Sequence, residues 1–237
     1  MKDLKAFEKI LGVEFKNREI LTQALTHRSY LNENPEISGG PASSADKHNE
    51  RLEFLGDAVL ELAVTEHIYG KFPEKPEGEL TSLRASLVNA NMLGDIARDL
   101  DFNNFLLLSR GEAKDVGRAR QYILANAFEA VVGAIYMDRG YGAVRDFIIK
   151  VLAPKISEIL EKKLYRDAKS FFQEQAQERV DVTPTYGVIK EWGPDHDKHF
   201  IVGVYLGKEL VAEGEGPSKQ EAQQQAAEAA LKIKNWE

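Results

Sequence analysis

The chain of 237 residues contains no cysteine. This absence excludes a disulfide framework and a thiolate metal site, and it is typical of proteins of the reducing cytoplasm. Long hydrophobic runs are also missing, since stretches such as AVVGAIYM (residues 130–137) are too short to cross a bilayer. The first twelve residues alternate charged and apolar side chains, which predicts an amphipathic helix rather than a signal peptide. We therefore expect a cytoplasmic protein with no membrane partner.

Basic charge is scarce. The chain has 31 lysine and arginine residues against 38 aspartate and glutamate residues, a formal net charge of −7. Proteins that bind nucleic acids usually carry a basic surface, so this balance by itself argues against such a partner. The hydrophobic fraction of 43% is ample for packed cores, and the length suits one large or two modest domains.

Three carboxylates share one side of a predicted helix in the segment HNERLEFLGDAVL (residues 48–60). They are Glu50, Glu53 and Asp57, with spacings of i, i+3 and i+7. The opposite side carries an apolar stripe that we expect to pack on a core: Leu52, Leu55, Val59 and Leu62. Neighbouring carboxylates repel one another, so a bound cation would stabilise them. Oxygen ligands select a hard ion such as Mg²⁺ or Mn²⁺. The alternative is a solvated acidic face without a ligand.

Within this segment, ERLEFLGDA (residues 50–58) resembles the signature of the ribonuclease III family, endonucleases that cut double-stranded RNA. Three further segments match in the same order along the chain: LTHRSY (25–30), PEGELTSLRASLV (76–88) and ILANAFEAVVGAIYMDRGY (123–141). The resemblance covers nearly the whole chain. It implies a bacterial-type member with one nuclease domain and one RNA-binding domain.

The resemblance also implies which residues form the active site. The four residues that would bind a metal ion are Glu53, Asp57, Asn126 and Glu129. Of these, Asp57 and Glu129 would be essential to catalysis. The ion would be Mg²⁺, with Mn²⁺ as a substitute, and it would activate a water and stabilise charge on the scissile phosphate. Glu50 and Glu77 correspond to further acidic positions, for which an indirect or structural role is as good an interpretation as direct ligation.

Asn126 departs from the family pattern, which commonly has aspartate at this position. Its amide oxygen can still bind Mg²⁺ but brings no negative charge, so the metal requirement should rise. One hypothesis is a natural variant that remains active, and the other is a change that impairs cleavage. We favour the natural variant because the other acidic positions are intact.

A single carboxylate set cannot cut both strands of a duplex at once, so we expect a twofold-symmetric homodimer. By resemblance, the signature helix contributes to the interface and Phe54 inserts into the partner. The alternative is that Phe54 belongs to the core of its own subunit. The family's products carry 5′-phosphates and short 3′ overhangs, and we expect the same products here.

The predicted fold is mainly α: an all-helical endonuclease domain followed by a small α+β domain. Helical periodicity predicts helices over 3–11, 17–27, 48–69, 80–98, 118–138 and 142–163. Polar segments at 32–47 and 110–122 are predicted to be loops. We expect an endonuclease domain over 3–140, a terminal helix and linker over 141–166, and an RNA-binding domain over 167–236.

The C-terminal region predicts an α-β-β-β-α order, with helices over 168–179 and 218–234 and strands over 184–192, 198–206 and 209–215. This order is similar to that of the double-stranded-RNA-binding domain, which reads duplex shape, 2′-hydroxyls and phosphates. The candidate RNA-binding residues are Gln173, Glu174, Gln177, His196, Ser218 and Lys219. From residue 168 onward there are eight basic and twelve acidic residues. We therefore expect modest affinity from this domain alone, and a protein-binding role is the alternative.

Together these observations predict a metal-dependent endoribonuclease that processes ribosomal RNA precursors and other structured transcripts, including messenger and transfer RNAs. The alternative is a double-stranded-RNA-binding protein whose catalysis is impaired by Asn126.

Overall fold

A computed structural model of the chain describes residues 3–38, 47–161, 168–194 and 198–236. Its internal contacts divide the chain into two units, Met1–Tyr165 and Arg166–Glu237. Each unit has its own buried hydrophobic core. Residues 162–167, which include the end of the segment predicted as terminal helix and linker (141–166), lie outside the described residues. The finer division of the chain at residues 140 and 166 remains a prediction.

The described residues of the first unit form helices joined by turns and loops, with one isolated bridge between Thr26 and Leu107. Its helices are α1 (Leu4–Leu11), α2 (Arg18–Ala24), α3 (Arg28–Glu33), α4 (Pro35–Ser38), α5 (Glu50–Lys71), α6 (Glu77–Leu87), α7 (Ala90–Asp99), α8 (Phe102–Phe105) and α9 (Arg118–Glu161). The two long helices, α5 and α9, pack against each other through the centre of the unit. Buried phenylalanines fill the space beside them, with the Phe7 and Phe102 ring centroids 5.0 Å apart.

Local chemistry explains several helix ends. The Asn17 side chain accepts a hydrogen bond from the Glu19 backbone N–H at 2.9 Å, which makes Asn17 the N-cap of α2. Gly140 has φ 81°, and this non-helical residue breaks α9 between the two helices predicted over 118–138 and 142–163.

Three predictions need correction. The helix predicted over 80–98 is two helices, α6 and α7, because the Asn89 side chain caps α7 by accepting from the Met92 N–H at 3.0 Å. The segment 110–122 is not a continuous loop, since it contains a 3₁₀ turn at Glu112–Lys114 and the start of α9. The segment 32–47 contains the end of α3 and all of α4, and residues 39–46 lie outside the described residues.

The second unit has the predicted α-β-β-β-α order: α10 (Ala168–Val180), β1 (Thr185–Trp192), β2 (His199–Leu206), β3 (Glu209–Gly216) and α11 (Lys219–Lys234). The strands form one antiparallel sheet in the order β1-β2-β3. The helices cover one face of it, where Phe172, Val204 and Ala227 are fully buried. An all-helical unit followed by a small α+β unit confirms the predicted fold class. No helix in the described parts of the chain is both long and apolar enough to span a membrane.

Candidate active site

Two glycines let α5 and α9 touch backbone to backbone. A Cβ atom on Gly56 would lie 1.7 Å from the Glu129 carbonyl oxygen, and one on Gly133 would lie 2.2 Å from the Leu52 carbonyl oxygen. No side chain fits at either position, so the signature glycine marks the point of closest approach between the helices. Side chains one turn away from this contact are thereby brought to the same region of the molecule.

The four predicted metal ligands lie around this contact. Glu53 and Asp57 flank Gly56 on α5, and Asn126 and Glu129 are on the facing part of α9. The Asn126 side chain is hydrogen-bonded to the Glu53 carboxylate. Glu129 is close enough to Asp57 and Glu53 to interact with both charges. The structure therefore brings together the residues that the resemblance assigned to one site.

Burial and mutual repulsion make this site electrostatically unfavourable for anions. Burial raises the pKa of Glu129 to about 7, and the charges on Asp57 and Glu53 add to this increase. Burial also raises the pKa of Glu53, as does the nearby Glu50, whereas the hydrogen bond with Asn126 lowers it. A cation beside these groups would favour their charged forms.

The donor set fits a hard divalent ion, because three carboxylates and one amide supply only oxygen atoms on the metal-binding side. Among the residues that the structure describes, however, no three acidic or histidine side chains are already close enough together to hold a metal ion. Glu53 is instead hydrogen-bonded to Asn126. The structure thus shows a gathered set of donors and not a formed coordination sphere.

The two further acidic positions differ from each other. Glu50 is near the site, with its carboxylate 3.6 Å from Nη1 of Arg28 and 3.9 Å from Nδ1 of His48. Glu77 begins α6, where its carboxylate accepts a hydrogen bond from the Thr81 hydroxyl at 2.9 Å. Glu77 lines a hollow with the later turns of α5, which places it away from the Glu53 cluster within one chain.

The other carboxylates of α5 have structural partners. Glu61 lies 3.4 Å from Nε of Arg84. Glu66 accepts a hydrogen bond from the Tyr141 hydroxyl at 2.7 Å and lies 3.1 Å from Nε of Arg145. No local spacing in the sequence connects residue 66 to residues 141 and 145, so these partners are visible only in the structure.

The outer side of α5 carries exposed apolar residues. Phe54 is 82% exposed, Leu62 is 58% exposed and Tyr69 is 74% exposed. The prediction that Leu62 packs on the core is therefore wrong, and so is the alternative that Phe54 belongs to the core of its own chain. We call this set the α5 apolar stripe: Phe54, Leu62 and Tyr69.

In the second unit, the described candidate RNA-binding residues lie on α10 and at the start of α11. Gln173, Glu174 and Gln177 are exposed on α10, where Gln177 donates a hydrogen bond to the Thr183 hydroxyl. The Ser218 hydroxyl caps α11 by accepting from the Glu221 N–H at 3.2 Å. The Lys219 ammonium lies 5.6 Å from the centroid of the Phe200 ring. His196, the remaining candidate, lies outside the described residues.

These features define a two-domain protein: a helical domain with acidic residues at a helix crossing, followed by an α-β-β-β-α domain. Residues 17–156 match the family described as Ribonuclease-III-like, and residues 168–234 match the double-stranded RNA binding motif. The chain belongs to the ribonuclease III family.

Individual relatives agree with this assignment. The chain is 43% identical to ribonuclease 3 of a Nitratiruptor species over 98% of its own length and 97% of that protein. It is 46% identical to ribonuclease 3 of Pelotomaculum thermopropionicum over 93% of its length and 89% of that protein. The crystal structure of the nuclease domain of ribonuclease III from Campylobacter jejuni is 37% identical, with a TM-score of 0.56, over 65% of this chain and 97% of that one.

Proposed function

We propose that the chain is an endoribonuclease that hydrolyses phosphodiester bonds in double-stranded RNA with a divalent metal ion. The observation that carries this proposal is the gathering of Glu53, Asp57, Asn126 and Glu129 where α5 and α9 touch. Burial, and then the charges of Asp57 and Glu53, raise the pKa of Glu129 to about 7, and a carboxyl group perturbed in this way is typical of functional sites. Membership of the ribonuclease III family and the double-stranded RNA binding motif support the same reaction class.

These four residues would hold Mg²⁺, or Mn²⁺ as a substitute. When bound, the ion would lower the pKa of a water molecule and stabilise negative charge on the scissile phosphate. Asp57 is exposed, so its carboxylate can meet substrate from the solvent side. Glu129 is more buried, and a cation beside it would favour its charged form by offsetting the effects of burial and of the Asp57 and Glu53 charges. Asn126 orients the Glu53 carboxylate through their hydrogen bond.

Two copies of the chain would supply the two sites that cleavage of both strands needs. The α5 apolar stripe supports a homodimer interface along this helix, because a soluble monomer gains nothing from exposing such residues along one helix. A second Campylobacter jejuni structure, 36% identical and with a TM-score of 0.55, is described as showing flexibility in a region involved in dimer formation. We infer that Phe54 inserts into the partner subunit.

The second unit would hold the duplex, with Gln173, Glu174, Gln177 and Ser218 near a minor groove and Lys219 on a phosphate. The products would carry 5′-phosphates and short 3′ overhangs. The substrates would be ribosomal RNA precursors and other structured transcripts of the cytoplasm.

A second candidate function is duplex binding without efficient cleavage. It is favoured by one observation, the neutral amide of Asn126 at a position hydrogen-bonded to Glu53. The amide lowers the negative charge of the site by one relative to a carboxylate, which weakens its attraction for a divalent ion.

Cleavage of a long RNA duplex by the full chain tests the proposal. With Mg²⁺, the wild type should cut the duplex and leave a single strand of the same sequence intact. Glu129→Gln should abolish cutting while preserving duplex binding. Glu61→Gln is the control, because Glu61 is a carboxylate of α5, the helix that carries Glu53 and Asp57, but it pairs with Arg84. This variant should cut normally. A wild type that binds the duplex and never cuts it, at any Mg²⁺ concentration, would establish the second candidate instead.

A further inference from the structure

Lys169, near the start of α10, lies between the two groups of predicted RNA-binding residues. It precedes Gln173 and Gln177 by four and eight positions, so all three share one side of the helix. Its ammonium donates a hydrogen bond to Oε1 of Gln223 on α11 at 2.8 Å. Gln223 follows Lys219 by four residues, one helical turn. Lys169 therefore connects the RNA-binding side of α10 with the first turns of α11.

Aromatic rings hold both lysines on the helix-covered face of the sheet. The Lys169 ammonium is 5.1 Å from the centroid of the Tyr186 ring, and the Lys219 ammonium is 5.6 Å from that of Phe200. Tyr186 packs against the buried cluster that contains Phe200, so the two rings belong to one patch. Cation–π contacts fix the ammonium groups before any ligand binds, which reduces the entropy lost on binding.

The charge of the second unit makes these two cations important. From residue 168 onward the chain has eight basic and twelve acidic residues, so a polyanion meets overall repulsion. At the far end of α11, the Lys234 ammonium is already engaged by the Glu209 carboxylate at 2.9 Å. Lys169 of α10 and Lys219 at the start of α11 are the lysines held beside the Tyr186–Phe200 ring patch.

We propose that Lys169 and Lys219 together bind the phosphate backbone of the RNA duplex, each at a neighbouring phosphate, with Gln223 positioning the Lys169 ammonium. This assignment rests on the proposed double-stranded-RNA function and adds Lys169 to the candidates that the sequence predicts. An ammonium group has three N–H donors, so its bond to Gln223 is compatible with a phosphate contact. Each lysine that binds a phosphate releases counterions, and its contribution is therefore measurable as salt dependence.

The test is a salt titration of duplex binding by the full chain, in chelator so that the RNA stays intact. The probe is an RNA duplex longer than the ~16 base pairs that one such domain covers. Lys169→Gln and Lys219→Gln should each weaken binding and reduce the slope of log K against log salt by about one. Lys169→Arg should keep the wild-type slope. Lys208→Gln is the matched control, because Lys208 is in the turn between β2 and β3, at the opposite end of the sheet from Phe200.

Two changes at residue 223 test the same site without removing Lys169. Gln223→Glu puts a carboxylate beside the ammonium and should also reduce the slope by about one. Gln223→Lys, added to Lys169→Gln, returns an ammonium to the same place and should restore the slope. Circular dichroism melts check that every variant is folded. If Lys169→Gln does not fold, the slope measured with Gln223→Glu tests the role of Lys169.

The outcomes separate the inference from the function on which it rests. If Lys219→Gln reduces the slope while the Lys169→Gln and Gln223→Glu variants keep the wild-type value, the role of Lys169 is wrong and the RNA-binding function stands. If the wild type fails to bind the duplex at any salt concentration, the proposed function fails, and the inference fails with it.

Discussion

Glu129 is the residue at which the electrostatics of the site are clearest. Its pKa is raised from 4.5 to about 7, first by burial and then by the charges of Asp57 and Glu53. A carboxylic acid that holds its proton to near-neutral pH is unusual at a purely structural position. It is expected where several carboxylates share a small volume that a cation can enter.

This shift predicts a pH-dependent stability without metal. The folded chain holds the Glu129 proton more tightly than the unfolded chain, so this group favours folding below its ordinary pKa. That contribution is lost as the pH rises from 4.5 through about 7. Glu129→Gln, which cannot ionise, should therefore gain melting temperature relative to the wild type over this range in chelator, and Mg²⁺ should narrow the gap. A melting-temperature difference between the two proteins that does not change with pH would contradict the raised pKa of Glu129.

Asn126 sets the charge of the site from the other helix. Asn126→Asp adds one negative charge beside Glu53, which should strengthen binding of a divalent ion by about 1 kcal/mol. We expect the Mg²⁺ concentration for half-maximal duplex cleavage to fall by roughly fivefold. The measurement is initial rate against Mg²⁺ concentration, with Glu61→Gln as the control for an altered charge elsewhere on α5. An unchanged requirement would remove Asn126 from the site.

At the scale of elements, the crossing of α5 and α9 decides which side chains meet. The backbones touch at Gly56 and Gly133, and this contact needs glycine at both positions. The sequence shows Gly56 as part of the signature segment, but not that α9 packs against its backbone. Gly133 went unnoticed because a single glycine in an apolar helix carries no local signal of what packs against it.

Gly56→Ala should disrupt this crossing. Its Cβ would lie 1.7 Å from a backbone oxygen that cannot move without shifting α9. We expect the free energy of unfolding to fall by about 1–3 kcal/mol or more, the usual cost of overpacking, together with loss of cleavage. Gly70→Ala is the matched control on the same helix, because nothing lies within 4 Å of its added methyl group. That variant should be as stable as the wild type or gain up to about 1 kcal/mol, and chemical denaturation measures both.

Equal stability of Gly56→Ala and Gly70→Ala would show that the helices do not depend on the glycine contact. The donor residues would then be held together by some other feature, and the explanation for the signature glycine would be lost.

The limits of prediction are also visible in single elements. Periodicity located α5 and both halves of α9, because long amphipathic helices repeat their signal many times. It predicted one helix across α6 and α7, because the helical pattern is continuous there. In the structure Asn89 accepts a hydrogen bond from the Met92 N–H and starts a new helix. It assigned Leu62 to the core, because apolar residues have the same helical spacing whether they face the core or the solvent.

At the scale of the whole molecule, the exposure of the α5 apolar stripe has no explanation within a single chain. Its three residues are largely exposed although the unit has an extensive core elsewhere. Their position on the helix that carries Glu53 and Asp57 would couple assembly to the candidate site. The sequence suggested Phe54 by resemblance, but its exposure had to come from the structure.

Phe54→Glu should convert a dimer into monomers at micromolar concentration. A carboxylate in place of a ring at the centre of an apolar interface has no partner there, and burying it is strongly unfavourable. Val116→Glu is the matched control, because Val116 is 93% exposed and belongs to a different segment. Sedimentation equilibrium distinguishes the species, and a Phe54→Glu dimer as tight as that of Val116→Glu would refute this interface.

The charge of the second unit shows what composition can and cannot predict. An excess of acidic residues argued against tight RNA binding, and it is a property of the sequence alone. Where the few lysines lie is a property of the fold, since Lys169 reaches Gln223 across 54 positions of sequence. A negative domain can still offer a local pair of cations to a phosphate backbone.

The most direct measurement is the Mg²⁺ dependence of duplex RNA cleavage by the wild type and by Glu129→Gln, with binding measured in parallel. We predict that the wild type cuts only when the divalent ion is present, and that Glu129→Gln binds the duplex equally well and does not cut. Cleavage in chelator, or wild-type cleavage by Glu129→Gln, would contradict a metal-dependent site at the α5–α9 crossing.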